Sequence, residues 1–558
     1  MLLSTLKKFA LVSILQKAIT FTLNQIIYRN SNPIILGKAT VEFELFLNSM
    51  LFLSREGIRL IVLRSNNNSK DIQSIINLSW LPFLVLLLLL FLIIFSHKNL
   101  GDDFIIIVSY NISAIIESIG EPLYNYCGIN GQAYIRIYAE AIALTTRALS
   151  TYTFVVYLNY GVAGFSFAQI IYGLTYSISL YFLFYVKNLS STPVKSKISI
   201  SLMCMPKFIH QSDNKFDLYE SLGGKYLSLA FTMTGTIFFK HLTTEADKIV
   251  LSILASNYDQ GIYSVINNYC SLIARLVFYP IEETIRLSFP SFLNKITNTN
   301  SYKSDQNSQN DIILNLNGMF SLFFGLFQIM AVLSTLFPLF GPFYAKTFVY
   351  LFLGEKWFSD EVFSLISVFC VYLFIMGLNG ITEAFIQSFI VKEHMKYMNI
   401  NLFISTILFS LSASVLISKF RTCGLVASLT ISMTSRLLFN LFYLYKSYTF
   451  PNIYFDLPHL KGNVSCEFNN LIPIDISFSI LFIFLLLRNS SIYLETIFED
   501  SSNSHKNKII QHFQHIIVGV FCLLVYFYHL YIRKHSKILA FFDILRNPYS
   551  SHLNSKEN

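Results

Sequence analysis

Long apolar stretches separated by short polar connections recur along nearly the whole chain. A helix of about 20 apolar residues is long enough to cross the ~30 Å hydrocarbon core of a bilayer. The run from Leu81 to Phe95 is the plainest of these stretches. The pattern predicts about fourteen transmembrane helices, at residues 9–30, 35–62, 77–96, 103–127, 132–158, 161–186, 224–254, 259–290, 312–339, 361–388, 394–417, 422–445, 470–488 and 511–532.

The connections group these helices and orient them. The chain is predicted to be an all-α polytopic membrane protein with an N-terminal six-helix lobe (1–186), a cytosolic loop (187–223), a C-terminal six-helix lobe (224–446), and an extra helix pair with a cytosolic tail (447–558). Lysine and arginine collect on the cytosolic side of membrane proteins. Because Lys7 and Lys8 precede the first helix and the loop and tail are basic, both termini are predicted to be cytosolic.

A short internal repeat relates the two lobes. The segment Glu56-Gly-Ile-Arg-Leu60 recurs as Glu283-Thr-Ile-Arg-Leu287, each near the end of the second helix of its lobe. Each of those helices is predicted to start after a turn that contains glycine, at Gly37 and Gly261. Two lobes of the same orientation predict a pseudo-two-fold axis along the membrane normal, with a cavity between the lobes.

Composition narrows the possible functions. The 558 residues are 54% hydrophobic and only 13% charged, so lipid is the predicted solvent for most of the chain. The net charge of +9 is spread along the chain rather than gathered in one basic stripe, which argues against nucleic acid as a partner. The seven cysteines form no CxxC pair and have no histidine at ligand spacing, so neither a metal site nor a cofactor is predicted.

Charged residues inside the predicted helices are the candidate chemistry, because a lipid-exposed charge at mid-bilayer costs at least ~2.5–3.5 kcal/mol. In the second helix Arg55 and Arg59 share a face, and Glu56 is close enough to pair with Arg59. This arrangement predicts a cationic arc with one partial counter-ion. In the eighth helix, spacings of seven, seven and four predict a polar stripe on one face, formed by Asn268, Arg275, Glu282 and Arg286.

Two interpretations of these charges remain open. Arginine suits bidentate contact with phosphate, so the cations could converge on a cavity and hold an anionic ligand. Alternatively, the charges pair across helices. The candidate diphosphate-binding cations are Arg55, Arg59, Arg286, Arg275, Arg147 and Lys248, and the candidate polar partners in the cavity are Glu56, Asn268, Glu282 and Glu383.

Three segments resemble the Rft family of endoplasmic-reticulum oligosaccharide-lipid translocation proteins. They run from Phe52 to Arg64, from Glu245 to Glu283 with interruptions, and from Asn379 to Phe385. The resemblance implies the multidrug/oligosaccharidyl-lipid/polysaccharide exporter fold, the endoplasmic-reticulum membrane and a role in N-linked glycosylation. The implied substrate is Man(5)GlcNAc(2)-PP-dolichol, which would move from the cytosolic to the lumenal leaflet.

The function expected from these observations is lipid flipping, with a dolichol-linked oligosaccharide and membrane lipids as partners. The alternative is a non-transporting protein that binds and presents the same lipid. A glycosyltransferase is disfavoured because the loop after the first helix, Asn30 to Pro33, is too short to carry catalytic acids. No G-x-x-x-x-G-K-[ST] loop occurs, so transport is expected to be passive or coupled to an unidentified gradient.

Overall fold

The computed structural model describes residues 19–62, 69–96, 101–129, 132–190, 227, 234, 238, 241–242, 244–286, 289, 306–390, 394–449, 483–492 and 510–528. Within these ranges the backbone is helical apart from short turns, and no strand occurs. The expected all-helical class is therefore confirmed for the described part of the chain. The first two lysines, the basic loop after residue 190 and the tail from residue 529 lie outside the described residues.

The chain divides into two compact units, Met1–Ser264 and Val265–Asn558. The helices of the first unit are α1 (19–30), α2 (Pro33–Gly37 and Glu44–Val62, joined by the π-helix Lys38–Phe43), α3 (Ser69–Leu78), α4 (Leu81–Phe95), α5 (Phe104–Ser118), α6 (Glu121–Ile129), α7 (Ala133–Thr151, ending in the π-helix Tyr152–Tyr157), α8 (Gly161–Ser190) and α9 (Ala246–Leu254).

The helix α10 (Asn257–Ile273) spans the boundary and continues through the π-helix Ala274–Phe278. The second unit then contains α11 (Gln306–Phe348, ending in the π-helix Val349–Leu353), α12 (Asp360–Phe389), α13 (Met395–Thr449), α14 (Ile483–Ile492) and α15 (Ile510–Tyr528).

Several helices present apolar side chains outward. In α4 only Pro82 and Leu86 are buried, whereas Phe91 is 68% and Phe95 is 91% exposed. Such a surface is stable only against hydrocarbon. Seven helices within the described ranges are long and apolar enough to span a bilayer, so the chain is a multi-pass membrane protein.

Packing in the first unit brings the end of α2 to the junction between α5 and α6. Helix α5 packs against α4 and α8, α7 packs on α8, and α2 contacts α4, α5 and α6. The core between α2, α4 and α5 includes Leu47, Met50, Leu86 and Tyr110. Helix α5 ends at Ser118 and α6 begins at Glu121. This core fixes the polar residues of α2 opposite those of α5 and α6.

The second unit is organised around α12, which packs between α11 and α13. Helix α13 is interrupted at Arg421, whose φ of 51° and ψ of −129° are not helical. The interruption lies between the helices predicted at 394–417 and 422–445. Arg421 Nη1 pairs with Glu361 Oε1 at 2.5 Å, and both side chains are exposed.

Two glycines have a different role from the one expected. Gly37 and Gly261 lie inside α2 and α10, not in turns, so the prediction of glycine turns is wrong. A Cβ on Gly37 would overlap the backbone carbonyl oxygen of Asn257, and a Cβ on Gly261 would overlap that of Pro33. The two repeat-related helix starts approach backbone to backbone, and only glycine permits that approach.

Candidate functional site

A buried cluster of charges joins the end of α2 to the α5–α6 junction. Arg55 Nη1 lies 2.5 Å from Glu117 Oε1 and 3.4 Å from Glu121 Oε1. Arg59 donates from Nη2 to Glu121 Oε1 at 2.5 Å and from Nε to Glu121 Oε2 at 3.1 Å. The planar guanidinium thus forms a two-point contact with one carboxylate, which is the strongest geometry for such a pair. We call Arg55, Arg59, Glu117 and Glu121 the first-unit cluster.

Burial makes the pairs of this cluster interdependent. The side chain of Glu121 is 1% exposed and that of Glu117 is 6% exposed, whereas those of Arg55 and Arg59 are 16% and 17% exposed. Removing one partner of a buried pair leaves an uncompensated charge in a medium that solvates it poorly. The cluster therefore holds the ends of three helical segments in one arrangement.

The structure corrects one detail of the predicted cationic arc. Glu56 Oε1 does lie 3.3 Å from Arg59 Nη1, so the predicted pair within α2 is confirmed. The arc nevertheless has more than one partial counter-ion, because α5 and α6 supply the carboxylates of Glu117 and Glu121. Spacing along one helix cannot reveal partners that another helix contributes.

An aromatic side chain links this cluster to a further cation. The ring of Tyr124 lies one helical turn after Glu121, and its centroid is 4.0 Å from Arg59 Cζ. Arg136, in the first turn of α7, places its Cζ 3.5 Å from the same centroid. Guanidinium groups stack favourably on aromatic faces. The cluster therefore ends in a row of Arg59, Tyr124 and Arg136.

Two of the predicted cations belong to a separate group of charges. Arg147 Nη2 lies 3.5 Å from Glu44 Oε1, and Lys248 Nζ lies 2.7 Å from Glu245 Oε2. Arg147 follows Arg136 by eleven positions in α7, which corresponds to roughly 16 Å along a helix. The structure therefore places Arg147 near the opposite end of α7 from the first-unit cluster.

His241 lies within this second group of polar residues. Its Nε2 is 2.9 Å from Ser49 Oγ, and its ring stacks on Phe52 with the centroids 4.3 Å apart. The side chain is 5% exposed. These contacts describe a packed interior histidine.

In the second unit, the arginine of the repeated motif makes longer contacts with its carboxylates than Arg59 does in the first. Arg286 lies 3.7 Å from a carboxylate oxygen of Glu282 and 3.7 Å from one of Glu283, both on its own helical segment. Arg275 is exposed and donates to the carbonyl and hydroxyl oxygens of Ser271.

The predicted polar stripe assumed an ideal α-helix from Asn268 to Arg286. The π-helix Ala274–Phe278 lies between the first and second halves of that stripe. A π-helical turn adds a residue and shifts the register. The single continuous stripe is therefore wrong, and Arg275 is separated in register from Glu282 and Arg286.

Glu383 is the centre of a polar network in the second unit. Its Oε2 accepts from Arg436 Nη2 at 3.0 Å and from Asn379 Nδ2 at 3.1 Å. Asn440 Nδ2 donates to Asn379 Oδ1 at 3.1 Å. Arg436 is absent from the residues predicted from the sequence. It lies in the middle of the apolar segment 422–445, and the high cost of exposing a charge to lipid already indicates that such an arginine has a polar partner.

The second unit also contains an apolar cleft of about 870 Å³. It is lined by α11, α12 and α13, including Val371, Ile431 and Leu438, with hydroxyl groups from Ser367 and Thr434. None of its lining residues is charged, so it is separate from the candidate site. Within the described ranges, no group of three His, Cys, Asp or Glu residues is arranged to hold a metal ion.

Similar proteins cover from two thirds to almost all of the chain. The protein named Man(5)GlcNAc(2)-PP-dolichol translocation protein RFT1 of Dictyostelium discoideum is 26% identical over 574 residues, covering 96% of this chain and 95% of that protein. The protein of the same name from Kluyveromyces lactis is 29% identical, covering 67% of this chain and 70% of that protein.

A solved structure shares the fold. The inward closed conformation of the lipid II flippase MurJ aligns with a TM-score of 0.55 and 14% identity, covering 95% of this chain and 99% of that structure. At this identity the likeness extends to the fold alone. The family described as "Rft protein" matches residues 5–543. That match, which includes all the charged clusters described above, shows that the chain belongs to the Rft protein family.

Proposed function

We propose that this protein translocates a dolichol-linked oligosaccharide, Man(5)GlcNAc(2)-PP-dolichol, from the cytosolic to the lumenal leaflet of the endoplasmic-reticulum membrane. Membership of the Rft family and the names of its relatives support this substrate. The observation that carries the proposal is the pairing of partly buried arginines with buried carboxylates on otherwise apolar helices, in a chain of this family. The protein acts as a transporter and not as an enzyme.

The proposed architecture has fourteen transmembrane helices in two six-helix lobes, related by a pseudo-two-fold axis along the membrane normal, with an extra C-terminal pair. The fold likeness to a lipid flippase supports this arrangement. Both termini are proposed to be cytosolic. With that orientation, the end of α2, the α6–α7 connection and the end of α8 all face the cytosol, where the substrate is first available.

Arg55, Arg59 and Arg286 are proposed to contact the diphosphate, and Arg275, Arg147 and Lys248 to line its path. Moving a diphosphate through hydrocarbon is prohibitively costly, whereas protein charges and water can replace its hydration shell. The carboxylates of the first-unit cluster support this role by holding the guanidiniums in place before substrate binds. The glycan would follow the polar path while the dolichol chain remains in lipid.

Exchange of the substrate between leaflets is the direct test. Purified full-length protein is reconstituted into liposomes that carry radiolabelled diphospho-dolichol oligosaccharide, and exchange is compared with protein-free liposomes. Glu283→Gln is a suitable matched control, because that side chain is 37% exposed and makes only a 3.7 Å contact.

We expect protein-dependent exchange that falls in an Arg59→Glu, Arg286→Glu variant and persists in Glu283→Gln. Binding without exchange in the wild type would favour a presentation role for the protein over flipping. Exchange equal to that of protein-free liposomes, together with no binding, would contradict both functions.

A further inference from the structure

Arg136 differs from the other arginines near it. Arg55, Arg59 and Arg147 each form an ion pair with a carboxylate. Across the part of the chain that the structure describes, Arg136 makes no ion pair, and its guanidinium lies against the face of Tyr124. Glu140, one turn further along α7, is exposed and is not paired with it.

Among the described residues, the stacking arrangement leaves the hydrogen-bonding edge of Arg136 without a partner. Two guanidinium carbons that lie 3.5 and 4.0 Å from one ring centroid have no room on the same face, so Arg59 and Arg136 occupy opposite faces of Tyr124. The N–H groups of a guanidinium lie in its plane. Contact through the face therefore fixes the orientation of Arg136 while its in-plane donors remain available.

The position of Arg136 in its helix favours an anion beside it. Helix α7 begins at Ala133, so Arg136 lies in the first turn. A cation there faces the positive end of the helix dipole, which is unfavourable by itself. An anion bound at this point would offset both the side-chain charge and the dipole, and backbone N–H groups of the first turn could also donate to it.

Arg136 can also accept an anion at a lower cost than its neighbours can. Arg59 uses two donors on Glu121, and Arg55 uses its Nη1 on Glu117 and Glu121. A phosphate must compete with those carboxylates. At Arg136 no ion pair with another described residue has to be broken first.

From this geometry we propose that Arg136, oriented by Tyr124, is the residue that first binds the diphosphate of the isoprenoid-linked substrate. The inference rests on the proposed function and assigns the anion contact to a residue outside the original set of candidates. Arg59 holds Tyr124 in position, and Arg55 and Arg59 contact the diphosphate after Arg136 has bound it.

The experiment measures equilibrium binding of a radiolabelled short-chain isoprenyl diphosphate to the purified full-length protein in detergent. Loss of a bidentate charge-assisted contact should weaken binding about tenfold or more in Arg136→Gln. Arg136→Lys should lose part of that affinity, because it keeps the charge but not the planar fork. Tyr124→Leu should also weaken binding, whereas the matched control Tyr124→Phe keeps the ring and should bind as the wild type does.

Two further ligands distinguish binding of the diphosphate group from binding of the isoprenyl chain. Isoprenyl alcohol should bind equally to the wild type and Arg136→Gln, and an excess of inorganic pyrophosphate should displace the labelled diphosphate. Thermal unfolding of each variant reports whether it is folded; if Arg136→Gln is not, the comparison of Tyr124→Leu with Tyr124→Phe provides the test.

The outcomes distinguish this inference from the function on which it rests. Equal diphosphate binding by the wild type, Arg136→Gln and Tyr124→Leu would overturn the role of Arg136 and leave translocation intact. A wild type that neither binds the diphosphate nor exchanges the full substrate in liposomes would overturn both.

Discussion

The two copies of the repeated motif place the same guanidinium in different surroundings. Arg59 is 17% exposed and makes a two-point contact with Glu121 of another helix, at 2.5 and 3.1 Å. Arg286 is 37% exposed and meets carboxylates of its own segment at 3.7 Å. The shared sequence therefore fixes where the arginine lies in its helix but does not fix what it binds.

Much of the difference between the two motifs follows from the residue that precedes each of them, because its charge is opposite in the two copies. The residue before each motif is Arg55 in the first copy and Glu282 in the second. Arg55 pairs with Glu117, whereas Glu282 has the same charge as Glu383 and repels it. Glu383 instead pairs with Arg436 of α13. The second unit thus obtains a cross-helix ion pair from a different helix.

The largest predicted effect breaks the first-unit cluster. Glu121→Gln leaves Arg59 without its two-point partner in a buried site, and we expect a loss of about 3–5 kcal/mol in the free energy of unfolding. Glu283→Gln, which removes a carboxylate 3.7 Å from Arg286 in the more exposed second motif, should cost less than about 1 kcal/mol. Denaturant titration in mixed micelles measures both, and equal losses would remove the distinction between the two motifs.

The second prediction compares two glycines. In Gly37→Ala the new methyl group meets backbone of α10, so the helices must separate at a cost of about 1–3 kcal/mol. In Gly380→Ala the methyl group meets the flexible carboxylate end of Glu282, and the better helix propensity of alanine should keep the change within about 1 kcal/mol. Thermal unfolding in detergent checks both values. A larger loss for Gly380→Ala would show that Glu282 is rigidly held.

The third prediction concerns the pair of the second unit. A double-mutant cycle with Glu383→Gln and Arg436→Gln should give a coupling of about 1–2 kcal/mol, because the side chains are 19% and 24% exposed and share one hydrogen bond. The corresponding cycle on Glu121 and Arg59 should give a larger coupling. The reverse order would mean that burial does not determine the strength of these pairs.

The smallest predicted effect is that of Glu282→Gln. The change removes repulsion from Glu383 and also removes a 3.7 Å contact with Arg286, so the two contributions oppose each other. We expect the free energy of unfolding to change by less than about 0.5 kcal/mol. A loss of more than about 2 kcal/mol in the free energy of unfolding would show that the charge of Glu282 stabilises the fold, as that of Glu121 does.

The features that could be predicted from the sequence are those that lie within a single helix. The apolar segments, the Glu56–Arg59 pair and the interruption near Arg421 all follow from local patterns, and the structure has each of them. The pairing of Arg55 with Glu117 joins residues 62 positions apart and requires a packed α2–α5 contact that periodicity does not contain.

Departures from ideal helices account for the other differences. The π-helix Ala274–Phe278 shifts the register of the predicted stripe. Pro280, which has no N–H to continue the helical hydrogen bonds, marks a departure from an ideal helix there, but it does not show that a residue is added to the turn. The sequence predicts turns at Gly37 and Gly261, because a turn and a close helix contact both require glycine, and only the structure distinguishes the two.

Because Arg59 and Glu121 neutralise each other, a mutation at one of them should be compensated by a mutation at the other. A substitution at Glu121 strands a buried cation, so a second substitution that neutralises Arg59 should restore folding within the same gene. Intragenic suppressors of folding defects at position 121 are therefore expected to map to α2. Position 283 should yield no suppressors, because its loss leaves nothing buried to repair.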